Sequence, residues 1–273
     1  MKNFISTFLI TAGVLASGFS TAAESPAEES NITGLEVMTK ANHRAYYSGG
    51  DRTTSGHVVV QEKNGTIRKR ATQMIRLDNE VGGEQSYFVY FKEPTDLERT
   101  TFLVHKHPGA DDERWLYLPE LDIVRRIEAG DKRTHFVGTD LFYEDVSGRH
   151  IKADTHELIS ESEKYWVVRS IPVNADEVEF SSYETWVHKA TELAVKIEYK
   201  DKNDKLYRRF SVKKMRVIDG IPTPMKIVLE DLNTGSVTTQ NCLEVEYGRN
   251  LASDLFAERS LRNPPLKTMT LVE

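Results

Sequence analysis

Short alternating segments fill most of the chain after residue 50, and they leave little choice of fold. Leu193, Val195, Ile197 and Tyr199 alternate with Ala194, Lys196 and Glu198, and Met225, Ile227 and Leu229 alternate with Lys226 and Val228. Val237, Leu243, Val245 and Tyr247 share one face, while Ser236, Thr238, Gln240, Glu244 and Glu246 share the other. Successive side chains of a strand point to opposite faces, so period two predicts one dry face and one wet face. Hairpin signals stand at Asn64-Gly65, at residues 201–204 and at 233–235. Further strands are predicted at residues 55–62, 67–77, 86–91, 101–105, 114–118, 122–126, 156–160, 165–171 and 180–187. About a dozen strands joined by short turns make a mainly β (α+β) protein with one antiparallel sheet. An open sheet of that many strands curls, here around its apolar face, and something must cover the mouth.

Two segments are available as covers. Thr33 and Glu36 have capping-box spacing. Leu35, Met38, Ala41, Ala45 and Tyr46 then recur at helical spacing until Gly49 and Gly50 end the run. The second cover is the stretch RTHFVGTDLFYEDV, residues 133–146. Gly138 permits a backbone turn that other residues resist. Asp140 or Thr139 is placed to cap a short helix, on which Leu141, Phe142 and Tyr143 would share a turn too short to be stable alone. Such a turn must lie against something. It is either a plug at one end of the core or a gate over a hydrophobic cavity, with Gly138 as hinge and Asp140 holding the turn.

The start of the chain predicts export. Lys2 precedes an apolar stretch from Phe4 to Phe19, and Ser20, Thr21, Ala22 and Ala23 follow. This is the layout of a signal peptide over residues 1–23, cleaved after Ala23. Polar residues 24–31 read as a disordered leader and residues 32–273 as one domain. No cysteine stands near the cleavage site for lipidation, so the expected location is the periplasm, as a released protein. The net charge of −6 argues against nucleic acid as a partner. Cys242 is the only cysteine, so no internal disulfide forms.

Catalytic patterns are missing from the sequence. There is no G-x-S-x-G, H-E-x-x-H, C-x-x-C or glycine-rich phosphate loop. His105 and His107 with Asp111 and Asp112 raise the idea of a metal, but a solvated strand end is the expectation, with no metal and no cofactor. Asp140, Glu144 and Asp145 are expected to cap the helix and to pair with Arg125, Arg126 or Arg133. No catalytic residue is assigned.

In this order of elements the chain resembles the outer-membrane lipoprotein-sorting proteins of the LolA/LolB-like superfamily. The resemblance rests on Phe136-Val137-Gly138-Thr139-Asp140 with Tyr143-Glu144-Asp145, on residues 115–119 (WLYLP) and 125–127 (RRI), on 220–224 (GIPTP), and on 251–261 with Asp254-Leu255-Phe256. It implies a curved antiparallel half-barrel covered by the N-terminal helix and the short central helix. It implies a carrier of lipid or lipoprotein acyl chains, in a branch that looks like the partners of RND-type inner-membrane exporters, with an outer-membrane acceptor as a further partner. An acyl chain of 16 carbons costs on the order of 12 kcal/mol to expose to water, so a cover is required for transfer. The residues expected to line the cavity are Leu35, Met38, Phe88, Phe102, Trp115, Tyr117, Phe136, Leu141 and Phe142, each of which ordinary core packing would also explain. The rival functions are a lipid-stress sensor that signals by docking and an enzyme on the same scaffold.

Overall fold

The structure, a computed structural model, describes residues 31–271 together with Met1. The expected signal segment and leader lie outside the described residues, apart from Met1 and Asn31. Among the described residues, 13 strands form one sheet. They are β1 Arg52–Gln61, β2 Ile67–Asp78, β3 Gln85–Glu93, β4 Thr101–Lys106, β5 Glu113–Leu118, β6 Ile123–Arg126, β7 Asp154–Glu161, β8 Tyr165–Pro172, β9 Phe180–His188, β10 Leu193–Asp201, β11 Leu206–Ile218, β12 Ile221–Asp231 and β13 Ser236–Tyr247. All neighbours are antiparallel, in the order β6-β5-β4-β3-β2-β1-β13-β12-β11-β10-β9-β8-β7.

That order has a topological consequence. The first six strands step away from β1 towards one edge. The chain then passes to β7 at the opposite edge and steps back until β13 lies beside β1. The sheet is unclosed, with β6 and β7 as its edges, so residues 127–153 must cross one of its faces. This crossing segment contains the short helix α2, Tyr143–Ser147. The face that it crosses is called the inner face below.

The sheet is longer by one strand than the sequence predicts. β11 is the addition, and at 13 residues it is the longest strand. Arg208, Arg209, Lys213, Lys214 and Arg216 obscure its alternation, and irregularities at Val212/Lys214 and Lys214/Met215 break its period.

The N-terminal helix α1, Gly34–Tyr46, has the predicted capping box. The Thr33 N–H donates to Glu36 Oε2 at 2.7 Å and the Glu36 N–H donates to Thr33 Oγ1 at 3.2 Å. Its buried stripe differs from the expected one. Gly34, Val37 and Ala41 are buried, with Met38 packed between them and the cluster of Phe180, Tyr183 and Tyr199. Leu35 is 52% exposed, because it lies outside the 34–37–41 row, and it cannot line an interior. Gly34 lets the first turn touch β7: a Cβ there would stand 2.7 Å from Glu157 C and Leu158 N. Glycine to alanine at a helical position is ordinarily favourable by up to about 1 kcal/mol. Gly34→Ala should have the opposite sign here and cost about 1 kcal/mol through overpacking, read as a lower melting temperature.

Both faces of the β2–β5 half of the sheet are covered, which the one-dry-face expectation did not provide for. Seven successive residues of β3, Gln85 to Phe91, are buried. On the inner face Tyr87, Val89, Phe91, Phe102 and Leu116 pack with Phe136, Leu141 and Tyr143 of the crossing segment. On the outer face Phe88, Tyr90, Leu103 and Tyr117 pack with Leu251, Phe256, Leu261 and Met269. The last four come from the chain after β13, which includes the short helices α3, Arg259–Arg262, and α4, Leu266–Met269.

Candidate functional site

The crossing segment reverses on itself at residues 136–141. Val137 has φ 46 and ψ 46, and Gly138 has φ 64. Glycine adopts this left-handed region freely, but β-branched valine there is strained. The turn is closed by Phe136 N–H donating to Leu141 O at 2.7 Å and by Thr139 N–H donating to Phe136 O at 3.1 Å. It drives Phe136 into the inner aromatic cluster, with ring centroids 5.0 Å from Phe102, 5.8 Å from Phe91 and 5.5 Å from Tyr143.

Asp140 does not cap a helix. Its carboxylate accepts from Ser236 Oγ at 2.5 Å and from Thr238 Oγ1 at 2.7 Å, and its N–H donates to Thr238 Oγ1 at 3.0 Å. Asp140 therefore pins the turn to β13. The helix starts two residues later than that cap would require, and Asp145 serves it instead by accepting the Phe142 N–H at 2.7 Å. Leu141 and Phe142 thus precede α2 rather than ride on it. Further ties come from β2, where Arg70 Nη2 donates to Gly138 O at 3.1 Å, and from β11, where Arg208 Nη2 donates to Asp140 O at 3.0 Å and pairs with Asp145 at 2.5 Å. Phe142 lies between two guanidinium groups, with Arg208 4.3 Å and Arg133 4.7 Å from its ring centroid. Both are buried among acids and rings, and Asp145 beside Arg208 and Glu179 beside Arg133 outweigh burial to hold them charged.

The two halves of the segment are held by separate buried charge groups. Glu144 pairs with Arg133 at 2.9 Å and Arg149 at 3.3 Å, and Arg149 reaches Asp154 at 2.8 Å. Glu179 pairs with Arg133 and accepts from Tyr207 Oη at 2.5 Å. Burial pushes the Glu179 carboxyl up, but its bonds to Arg133 and Tyr207 prevail and hold it at about 2. At the other end Lys106 Nζ donates to Ser147 O and Gly148 O, each at 2.7 Å. Beside it, Asp112 accepts from Arg114 at 2.6 Å, Ser147 Oγ at 2.9 Å and His150 Nε2 at 2.9 Å. Burial would raise Asp112, but His150, Lys106 and Arg114 together bring it down to about 2, while burial brings Lys106 down to about 8.

The residues expected to form one cavity are divided by this geometry. Phe102, Phe136 and Leu141 meet in the inner cluster, and Phe142 sits at its rim between the arginines. Met38 reaches the same face from α1. Phe88, Trp115 and Tyr117 lie on the outer face beneath the C-terminal cover, because their positions alternate with those of Val89, Leu116 and Phe102. Glu144 takes the expected Arg133 together with Arg149, and Asp145 takes Arg208, while the exposed Arg125 and Arg126 pair with Asp131 and Glu113 instead. His105 bonds Ser86 and His107 bonds Glu84 and Glu113, while Asp112 turns inward. Beside the segment lies a cleft of about 250 Å³ lined by His135, Asp140, Phe142, Glu179, Tyr207 and Arg208.

Comparison with known proteins places this arrangement. Residues 83–263, more than half of the chain, match a family model described as that of an uncharacterized protein. The chain belongs to that family. No curated protein matches it. Among solved structures, the family's fold is found in a domain described as an outer membrane lipoprotein-sorting protein domain, from Vibrio parahaemolyticus (23% identity, TM-score 0.75, covering 84% of this chain and 98% of that one). A DUF1329 family protein from Desulfovibrio piger is as similar (23% identity, TM-score 0.77, 84% and 97%). A LolA superfamily protein from Nitrosomonas europaea follows (16% identity, TM-score 0.65, 84% and 99%). The fold is therefore the LolA-like curved half-barrel, an unclosed sheet with few helices.

Proposed function

We propose that this chain is a carrier that shields the acyl chains of a lipid or lipoprotein against its inner face. In this reading it works in the periplasm beside an RND-type inner-membrane exporter and hands cargo to an outer-membrane acceptor. The observation that carries the proposal is the way in which the inner aromatic surface is covered. Its lid is a single crossing segment with one five-residue helix, tied to the sheet by polar side chains. A short element with few backbone bonds of its own opens at lower free energy than the strands beneath it. Displacing it uncovers Phe102 and neighbouring rings, while Phe136, Leu141 and Phe142 move with the lid. Broad apolar side chains of this kind hold a chain without fixed polar demands. The fold of the LolA superfamily protein supports this reading, as does the lipoprotein-sorting description of the Vibrio domain.

A fatty-acid probe whose emission depends on its surroundings should bind the delipidated protein. Met38→Glu should weaken that binding by about tenfold or more, because it sets a charge against the apolar cluster of Phe180, Tyr183 and Tyr199 on the same face and makes it hostile to an alkyl chain. Leu35→Glu, on the exposed side of α1, should leave it unchanged. Absence of probe binding to delipidated wild-type protein would remove the carrier reading.

A further inference from the structure

The ladder between β10 and β11 ends early. It runs from Lys200–Leu206 to Lys196–Ser211, although β10 reaches back to Leu193 and β11 continues to Ile218. Irregularities at Ala194/Lys196 on the β9 side and at Val212/Lys214 on the β12 side turn the two strands away from each other. They leave an open groove of about 400 Å³, lined by Tyr165, Val195, Val212 and Met215 among others, within the volume range of small-molecule sites.

The lip of this groove carries unbalanced charge. Lys213 and Lys214 line it and are exposed, and Arg216 follows on the same strand. Among the described residues no carboxylate pairs with any of the three. Lys196, across the groove, differs: it pairs with Glu198 at 3.2 Å and lies 3.5 Å from the Trp186 ring centroid. Lys214 also stands opposite Lys226 in the β11–β12 register, and like charges placed so are destabilising. A chain of net charge −6 thus keeps an uncompensated cationic rim beside an apolar slot. Free phosphate would use only the rim and a neutral lipid only the slot.

We propose that this groove binds an anionic phospholipid, with acyl chain along Val195, Val212 and Met215 and phosphate against Lys213 and Lys214. The inference rests on the carrier reading and adds a lateral site and a headgroup class to it. The test uses delipidated full chain and two fluorescent phospholipids with the same acyl label, one phosphatidylglycerol and one phosphatidylcholine. The double variant Lys213→Glu/Lys214→Glu changes two exposed side chains, and circular dichroism checks that it is folded. It should bind the phosphatidylglycerol probe about tenfold or more weakly, with phosphatidylcholine binding little changed, since each lysine adds its own attraction to an anionic lipid. Lys213→Arg/Lys214→Arg should bind like wild type. Equal loss for both probes, or no loss, overturns the site while leaving the carrier reading standing. Displacement of the probe by glycerol 3-phosphate at matching concentration overturns it in favour of a free-phosphate site. Wild-type protein that binds neither phospholipid overturns the site, while the fatty-acid probe decides the carrier reading separately.

Discussion

Asp112→Ala should destabilise the protein by about 3–5 kcal/mol, the cost of removing one member of a buried charge group. The Asp112 side chain is inaccessible to solvent, and so, almost entirely, is that of Arg114 beside it. Without the carboxylate, Arg114 loses its short ion pair, and the Ser147 hydroxyl and His150 lose their acceptor. Lys106 keeps two backbone carbonyls but no nearby negative charge in this cluster. Urea unfolding gives the direct measurement. The damage should be smaller in Asp112→Ala/Lys106→Met, because the second change removes one of the uncompensated cations, and the difference from additivity measures their coupling.

The same carboxylate predicts how stability responds to acid. Asp112 is held at about 2 in the folded protein against an ordinary value of 3.8. A carboxyl depressed by folding stabilises fully above its unfolded value and loses that contribution as the pH falls through its folded value. The window for Asp112 is therefore roughly pH 4 down to pH 2, and the contribution is on the order of 2 kcal/mol. Glu179, also held at about 2, acts with the same sign at the other end of the segment. Stability measured against pH should fall across this window in wild-type protein and fall less steeply in Asp112→Asn. Parallel curves would show that Asp112 does not titrate with folding.

The sheet was legible because alternation is a local signal, and it failed where the local signal was broken. The turn at residues 201–204 is visible in the sequence, yet the strand after it is not, since Lys213 and Lys214 interrupt its pattern where β11 is irregular. The cap of α1 was legible because Thr33 and Glu36 are three residues apart. The role of Asp140 was not, because its partners lie at Ser236 and Thr238, and spacing along the chain says nothing about contacts almost a hundred residues away. Period two also cannot say whether a second face is dry. That depends on where the chain after Tyr247 goes, and its return across the outer face places Phe88, Trp115 and Tyr117 there. The turn at Gly138 was legible because glycine is the residue that a left-handed conformation favours, and Gly138 adopts one. Its neighbour Val137 adopts one too, against its preference, and no sequence pattern announces that.

Asp140→Ala should loosen the crossing segment while leaving the sheet intact. The carboxylate makes two hydrogen bonds to β13, and a hydrogen bond to a charged group is worth about 1.5–3 kcal/mol. The strained backbone at Val137 works in the same direction, since opening relieves it. What remains to hold the turn is the backbone N–H of residue 140 on Thr238 Oγ1, the Phe136 ring in its aromatic cluster and the contacts of Arg70 and Arg208 to backbone carbonyls. Hydrogen exchange separates a gate from a plug. In a gate, amides of residues 136–146 exchange faster than those of β10 in wild-type protein, faster again by about tenfold or more in Asp140→Ala, and slow when the fatty-acid probe binds. Probe binding to the variant should then accelerate, because less free energy is needed to expose the inner face. If residues 136–146 are as protected as β10 and are unaffected by the probe, the segment is a fixed plug, and cargo must be held elsewhere on the sheet.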